Sequence, residues 1–160
     1  MPAKIATQPP AQKSFVAALE TLGCKIEKIV DDSGIFFMYG GLYYVASPSE
    51  DQTYVNVIFP KFTDVSGFAS FPAANEAIHC LNARMKLARV WIDDGQLHAS
   101  SETILDPCMQ LDSVLSRLLR TLQAITLETR ICQRLSHVQE GRIEPDDSAD
   151  QTSQRSVSFH

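Results

Sequence analysis

Gly40 and Gly41 stand side by side between two runs of β-branched and aromatic residues, Ile35 to Tyr39 and Leu42 to Ser47. Adjacent glycines can both adopt positive φ, which a two-residue hairpin turn of the favoured hand requires. So short a connection permits only antiparallel pairing, and the chain is committed to a sheet in which these runs are neighbours. A third β-rich run, Tyr54 to Phe59, follows the polar loop Pro48-Ser49-Glu50-Asp51-Gln52, a connection of hairpin length. The three runs make a meander. Upstream lies Asp31-Asp32-Ser33-Gly34, strong turn chemistry. Before it, Cys24 to Val30 alternates charged and apolar residues and reads as a short strand or an extended link. A second hairpin is expected downstream, with strands Leu87 to Ile92 and Leu97 to Ser101 around Asp93-Asp94-Gly95-Gln96; Asp-Gly is the strongest short hairpin signal.

Helical spacing surrounds these strands. Phe15, Leu19 and Leu22 recur at four and three residues before Gly23, predicting a helix from Pro10 to Leu22 with glycine at its C-terminal stop. Phe71, Ala74, Ile78, Leu81 and Met85 predict a second, with Pro72 in its first turn. Leu111, Leu115, Leu118, Leu122 and Ile125 form the seam of a third, widened by Val114 and Leu119. It is expected to run from Pro107 to about His137, with Asp106 as N-cap. The order is α-β-β-β-α-β-β-α. Grouped hairpins without alternating βαβ units predict an α+β fold with an antiparallel five-stranded sheet and three helices. The expected organisation is a disordered lead over residues 1–9, one domain over 10–137 and a disordered acidic tail over 138–160.

Charge and cysteine spacing exclude several functions. The net charge is −5. Glu140, Glu144, Asp146, Asp147 and Asp150 against Arg142 and Arg155 put −3 of it in the tail, leaving the body near −2. No basic stripe is present to neutralise phosphates, so neither nucleic acid nor an anionic membrane is expected as a partner. Cys24, Cys80, Cys108 and Cys132 lie too far apart in sequence for zinc or redox motifs. They read as four free thiols in a reducing compartment, with Cys80 and Cys132 packed among helical apolar residues. The first twelve residues lack the apolar stretch of a secretory signal, and no run approaches the ~20 apolar residues of a membrane span.

No catalytic, cofactor or metal site is expected. Asp31-Asp32 and Asp93-Asp94 could be metal carboxylates, but both sit beside glycine as turn residues, and Glu50-Asp51 is a solvated loop pair. His79 and Cys80 are adjacent on a helix and point about 100° apart, which keeps them from forming a hydrogen-bonded nucleophile pair. His98, Ser100 and Glu102 share one strand face, but neighbours there are roughly 7 Å apart, too far for direct proton transfer. Gly34, Gly40 and Gly41 lie in hairpins, not before a helix, and form no phosphate loop.

What remains is surface. Alternation turns Val55, Val57 and Phe59 inward and Tyr54, Asn56 and Ile58 outward; Ala88, Val90 and Ile92 inward and Arg89 and Trp91 outward. The first hairpin is apolar on both faces. Either the three helices cover both sides of the sheet, or one apolar flank is left for a partner or a second copy. Tyr54, Ile58, Arg89 and Trp91 are the expected partner-binding residues, because Trp, Tyr and Arg commonly anchor interfaces.

The order of elements resembles that of the YbjN-like family, whose fold is that of the type III secretion chaperones. Leu22-Gly23, Asp32-Ser33-Gly34-Ile35-Phe36-Phe37 and Gly41-Leu42-Tyr43-Tyr44-Val45 are similar to that family's opening helix and first hairpin. Tyr54-Val55-Asn56-Val57-Ile58-Phe59-Pro60 looks like its third strand. Asn82, followed by Lys86-Leu87-Ala88-Arg89-Val90, is similar to the asparagine late in its middle helix and the strand after it. The resemblance spans roughly residues 10–137 and implies a bacterial, cytoplasmic, non-catalytic, dimer-prone protein without cofactor.

The expected function is a protein-binding or chaperone-like regulatory module, a homodimer through its sheet or middle helix, holding a segment of another protein by edge-strand addition or in an apolar groove. The alternative is a small-ligand sensor with a pocket between the sheet and the third helix. In the tail, Val157 and Phe159 would be anchors if that segment folds on a partner.

Overall fold

A computed structural model describes residues 10–30, 34–49 and 53–141. Helix α1 (Pro10–Thr21) ends one residue before the expected Leu22. Gly23, at φ +78°, donates to the Glu20 carbonyl at 2.9 Å while Cys24 N–H reaches the Leu19 carbonyl at 3.0 Å. These two bonds close the helix in a Schellman turn and send the chain back along the sheet.

Strands β1 (Lys25–Val30), β2 (Gly34–Tyr39), β3 (Leu42–Pro48) and β4 (Tyr54–Asp64) form the meander, followed by a single 3-10 turn at Val65–Gly67. Helix α2 (Phe71–Arg84), the hairpin β5 (Ala88–Asp93) and β6 (Gln96–Ile104), and helix α3 (Leu111–Gln139) follow. All strand pairings are antiparallel, in the order β1-β2-β3-β4-β6-β5. Both two-residue turns adopt the expected positive φ, at Gly40 (59°) and Gly41 (79°) and at Asp94 (48°) and Gly95 (72°).

The sheet has six strands, not the expected five. The extra member is β1. Its two isoleucines, Ile26 and Ile29, are three residues apart and could not share a face in a regular strand. A bulge between Ile26 and Lys28 absorbs one residue, and both isoleucines then pack against the core. β4 also runs past its expected end at Phe59. Pro60, which cannot donate to a ladder, and Lys61, at φ 49°, lie in an irregularity after which Thr63 and Asp64 pair again with Leu97 and Gln96.

The start of α3 differs from expectation too. Asp106 caps a separate turn: its carboxylate accepts from Cys108 N–H at 2.8 Å and its carbonyl from Met109 N–H at 2.9 Å. The helix begins at Leu111, behind Gln110, whose side chain makes no capping bond. At its other end α3 passes the expected boundary at residue 137 and reaches Gln139, where Ser70 Oγ donates to the Glu140 carboxylate. The lead over 1–9, the turn residues Asp31 to Ser33, the loop residues Glu50 to Gln52 and the tail with Val157 and Phe159 lie outside the described residues.

The core is one-sided. Phe15 and Leu19 of α1, Ala74, Ala77 and Leu81 of α2, and Leu115, Leu118, Leu119, Leu122 and Ile125 of α3 form one buried cluster with Ile35, Phe37, Tyr44, Val55, Val57, Phe59, Leu97 and Ala99. The outward residues Phe36, Met38, Val45, Ile58 and Trp91 are not part of it. All three helices therefore pack on the same face of the sheet.

Candidate partner-binding surface

Register assembles the helix-free face row by row. Phe36 lies opposite Val45, Val45 opposite Ile58, Ile58 opposite Ser100, and Ser100 opposite Arg89. An apolar row thus crosses three central strands and ends at a guanidinium. Met38 and Tyr43 form a neighbouring pair, with Tyr43 among the exposed large side chains. Phe36, Met38, Val45 and Ile58 are half-buried, and among the described residues none of the three helices packs on them. Ser47, Asn56 and Glu102 make a polar row one pair further along.

The four residues expected to bind a partner all lie on this face. Trp91, opposite His98 in the hairpin, stacks on its ring with centroids 5.4 Å apart and planes at 19°. Tyr54 donates its hydroxyl proton to Glu102. Desolvation first, and then the Glu102 hydrogen bond, push the Tyr54 phenol up to about 12, while the Arg89 charge acts in the opposite sense. Arg89, Trp91, Ser100 and Glu102 form one wall of an open trough of about 680 Å³; Asn82, Met85, Lys86 and Leu87 form the other. Tyr54 bounds it through Glu102, and Ile58 connects it through Ser100 to the apolar row. Lys86 and Arg89 give the trough two cations, against the one carboxylate that Tyr54 engages.

Both edges of the sheet are obstructed to strand addition, β5 over Ala88 to Val90 and β1 at its bulge. On β5, Val90 N–H donates to Asn82 Oδ1 at 2.8 Å and Asn82 Nδ2 donates to Val90 O at 2.9 Å. The amide of α2 thereby stands in for a seventh strand. Ala88 N–H, which points to the same side, is taken by the Met85 carbonyl. On β1, the bulge and the alternating charges of Lys25, Glu27 and Lys28 interrupt the edge. The edge-strand mode of binding is thus disfavoured, and the open face is what a partner can use.

A second apolar surface lies on the solvent side of α3. Leu127 (62% exposed), Ile131 (44%) and Leu135 (53%) recur every four residues and form a ridge facing away from the core. The buried seam continues past Ile125 through Thr129, Cys132 and Ser136, while the large aliphatic side chains shift to the solvent side, so this second stripe is legible only as a change of phase within the same helix.

The other candidates keep simple roles. His98 is stacked under Trp91, Glu102 is bound by Tyr54, and Ser100 sits between Ile58 and Arg89, so none of the three faces another in a relay. Asp93 ends β5 opposite Gln96, and Asp94 opens the two-residue turn. Cys80, expected to be packed, is exposed, as is His79. No group of three metal-ligating side chains occurs among the described residues, and none of their helices is long and apolar enough to cross a membrane. The space expected as a ligand pocket between the sheet and α3 is filled by Leu115, Leu118, Leu119, Leu122 and Ile125.

No family model matches the chain, and no curated protein matches it either. Among solved structures it is similar to an uncharacterized protein from Methanothermobacter thermautotrophicus, with a TM-score of 0.58 at 12% sequence identity, over 79% of this chain and 99% of the other. At that identity the likeness establishes the fold.

Proposed function

We propose that this chain is a non-catalytic protein-binding module that holds a segment of a partner protein on the helix-free face of its sheet. The observation that carries this reading is the row Phe36–Val45–Ile58, which runs without a covering helix into the trough formed by Arg89 and Trp91. Exposed contiguous apolar surface rimmed by polar groups marks interaction sites. With Asn82 and the β1 bulge obstructing the edges, the segment lies across the face instead of extending the sheet. Lys86 and Arg89 favour a segment carrying an acidic residue, and Trp91 an aromatic or proline beside it.

The α3 ridge supplies a second surface for self-association. Two copies crossing antiparallel at Ile131 bring Leu127 of one against Leu135 of the other, a self-complementary two-fold contact. The order of elements and the Asn82 latch support kinship with the YbjN-like family and its chaperone-like fold. Four free thiols suit a cytoplasmic setting.

The test is selection of binders from a displayed peptide library, followed by titration of the selected peptides with Trp91, the single tryptophan, as fluorophore. Binding is expected to shift the Trp91 emission to shorter wavelength and to fall at least tenfold in Ile58→Asp and Arg89→Ala variants that melt as the parent does. Peptides that bind those variants unchanged would overturn the reading. A second reading, a small-ligand sensor, rests on the volume of the trough, which lies within the range of ligand pockets. A thermal-shift screen against metabolites separates the two, because only the sensor would gain stability from a small molecule.

A further inference from the structure

Helices α2 and α3 pack antiparallel with their register fixed by an ion pair. Arg84 Nη1 lies 3.3 Å from Glu128 Oε2. One helical turn back along α2 from Arg84 is Cys80; one turn forward along α3 from Glu128 is Cys132. In antiparallel helices these steps run in the same direction, so the two cysteines face each other across the seam. Both line a single hollow of about 120 Å³, whose other walls include Ala73, Ala77 and Ser136. These small side chains let the helix backbones approach. Further along, the Ser136 hydroxyl accepts from Ala69 N–H at 3.1 Å, so the seam is tied on the far side of the cysteines as well.

We propose that Cys80 and Cys132 form a dithiol site that closes to an intramolecular disulfide when it meets a small disulfide of the glutathione class. The two thiols are not equivalent. Cys80 is exposed, whereas Cys132 is half-buried. Burial raises the Cys132 thiol, and the neighbouring Cys80 adds to that rise. Cys80 is thus the entry point. It loses its proton to solvent, and its thiolate attacks one sulfur of the glutathione disulfide, forming a mixed disulfide and expelling one glutathione thiolate. Cys132 then loses its proton, and its sulfur attacks the Cys80 sulfur of that mixed disulfide, expelling the second glutathione. The two protein thiols are oxidised by two electrons, and the glutathione disulfide is reduced to two thiols. The closed bridge ties α2 to α3 two residues from Asn82, the latch of β5, and so stiffens one wall of the trough. The site itself stands on the helix register and is independent of the binding function proposed above.

The full-length reduced protein is incubated with oxidised glutathione, and intact mass and non-reducing peptide maps are recorded. The expected product has lost two hydrogens, carries no glutathione, and yields one linked peptide pair joining Cys80 to Cys132. Its melting temperature rises by on the order of 10 °C, reversibly with dithiothreitol. Cys132→Ser is expected to stop at a stable glutathione adduct on Cys80. A glutathione adduct that persists on Cys80 in the parent protein, a linked pair through Cys24 or Cys108, or no reaction would each overturn the proposal.

Discussion

Asn82 and Val90 are joined by two hydrogen bonds, amide to backbone in both directions, across the outer edge of β5. A side chain that satisfies both polar groups of one edge residue does for that position what a neighbouring strand would do. Replacing Asn82 with Ala is expected to lower stability by about 1–2 kcal/mol in chemical denaturation, from loss of two partly exposed bonds. It also uncovers Val90 for pairing with another chain. Sedimentation should therefore show new higher-order species at raised concentration; a pattern unchanged from the parent protein would deny Asn82 its protective role.

Trp91 stacks on His98 but lies outside the core cluster. Trp91→Ala should cost about 1 kcal/mol of stability, the worth of an exposed ring pair, and remove binding of selected peptides, followed here by calorimetry. A loss of several kcal/mol would place the indole in the fold's interior instead.

Among the described residues, the buried Tyr44 hydroxyl finds no hydrogen-bond partner. Desolvation, with smaller contributions from Tyr39 and Cys24, raises its phenol to about 12 from a reference of 10.0. Because the phenol ionises later in the folded chain than in the unfolded one, its neutral form is equally present in both below pH 10, and stability falls as pH rises from 10 towards 12. Melting temperature should fall through that window, and less steeply in Tyr44→Phe. At pH 7 the same substitution removes an orphan polar group and should raise stability by about 1 kcal/mol.

Gly34 and Gly41 both take positive φ, +108° and +79°, but differ in surroundings. A Cβ at Gly34 would meet the Ala46 carbonyl oxygen at 2.5 Å, while one at Gly41 meets nothing within 4 Å. Gly34→Ala should cost at least about 3 kcal/mol by strain plus clash, and Gly41→Ala about 1 kcal/mol. Equal losses in urea titrations would contradict the close approach of β2 and β3.

On the α3 ridge, Ile131→Asp should shift the protein to monomer in sedimentation equilibrium without lowering its melting temperature, because the side chain does not touch the core. If the mass in solution is unchanged, self-association uses another surface.

The hairpins, helix spacing and facing of β4 and β5 were readable because each rests on local chemistry: paired glycines, Asp-Gly, and strict alternation of Val55, Val57 and Phe59 against Tyr54 and Ile58. β1 was ambiguous because its bulge breaks the period that marks a strand. The start of α3 was misplaced because Asp106 performs the same capping chemistry for an isolated turn as for a helix. Tyr54, Ile58, Arg89 and Trp91 could be assigned to one face from alternation alone. That no helix covers that face, and that Asn82 closes its edge, depend on contacts between elements distant in sequence.

Stacking every helix on one side divides the labour within each strand. In β4, Val55, Val57 and Phe59 answer to folding, while Tyr54, Asn56 and Ile58, one step out of phase, stand outside the core. Substitutions can therefore accumulate on alternate residues without disturbing the interior, and new recognition can evolve on an unchanged scaffold.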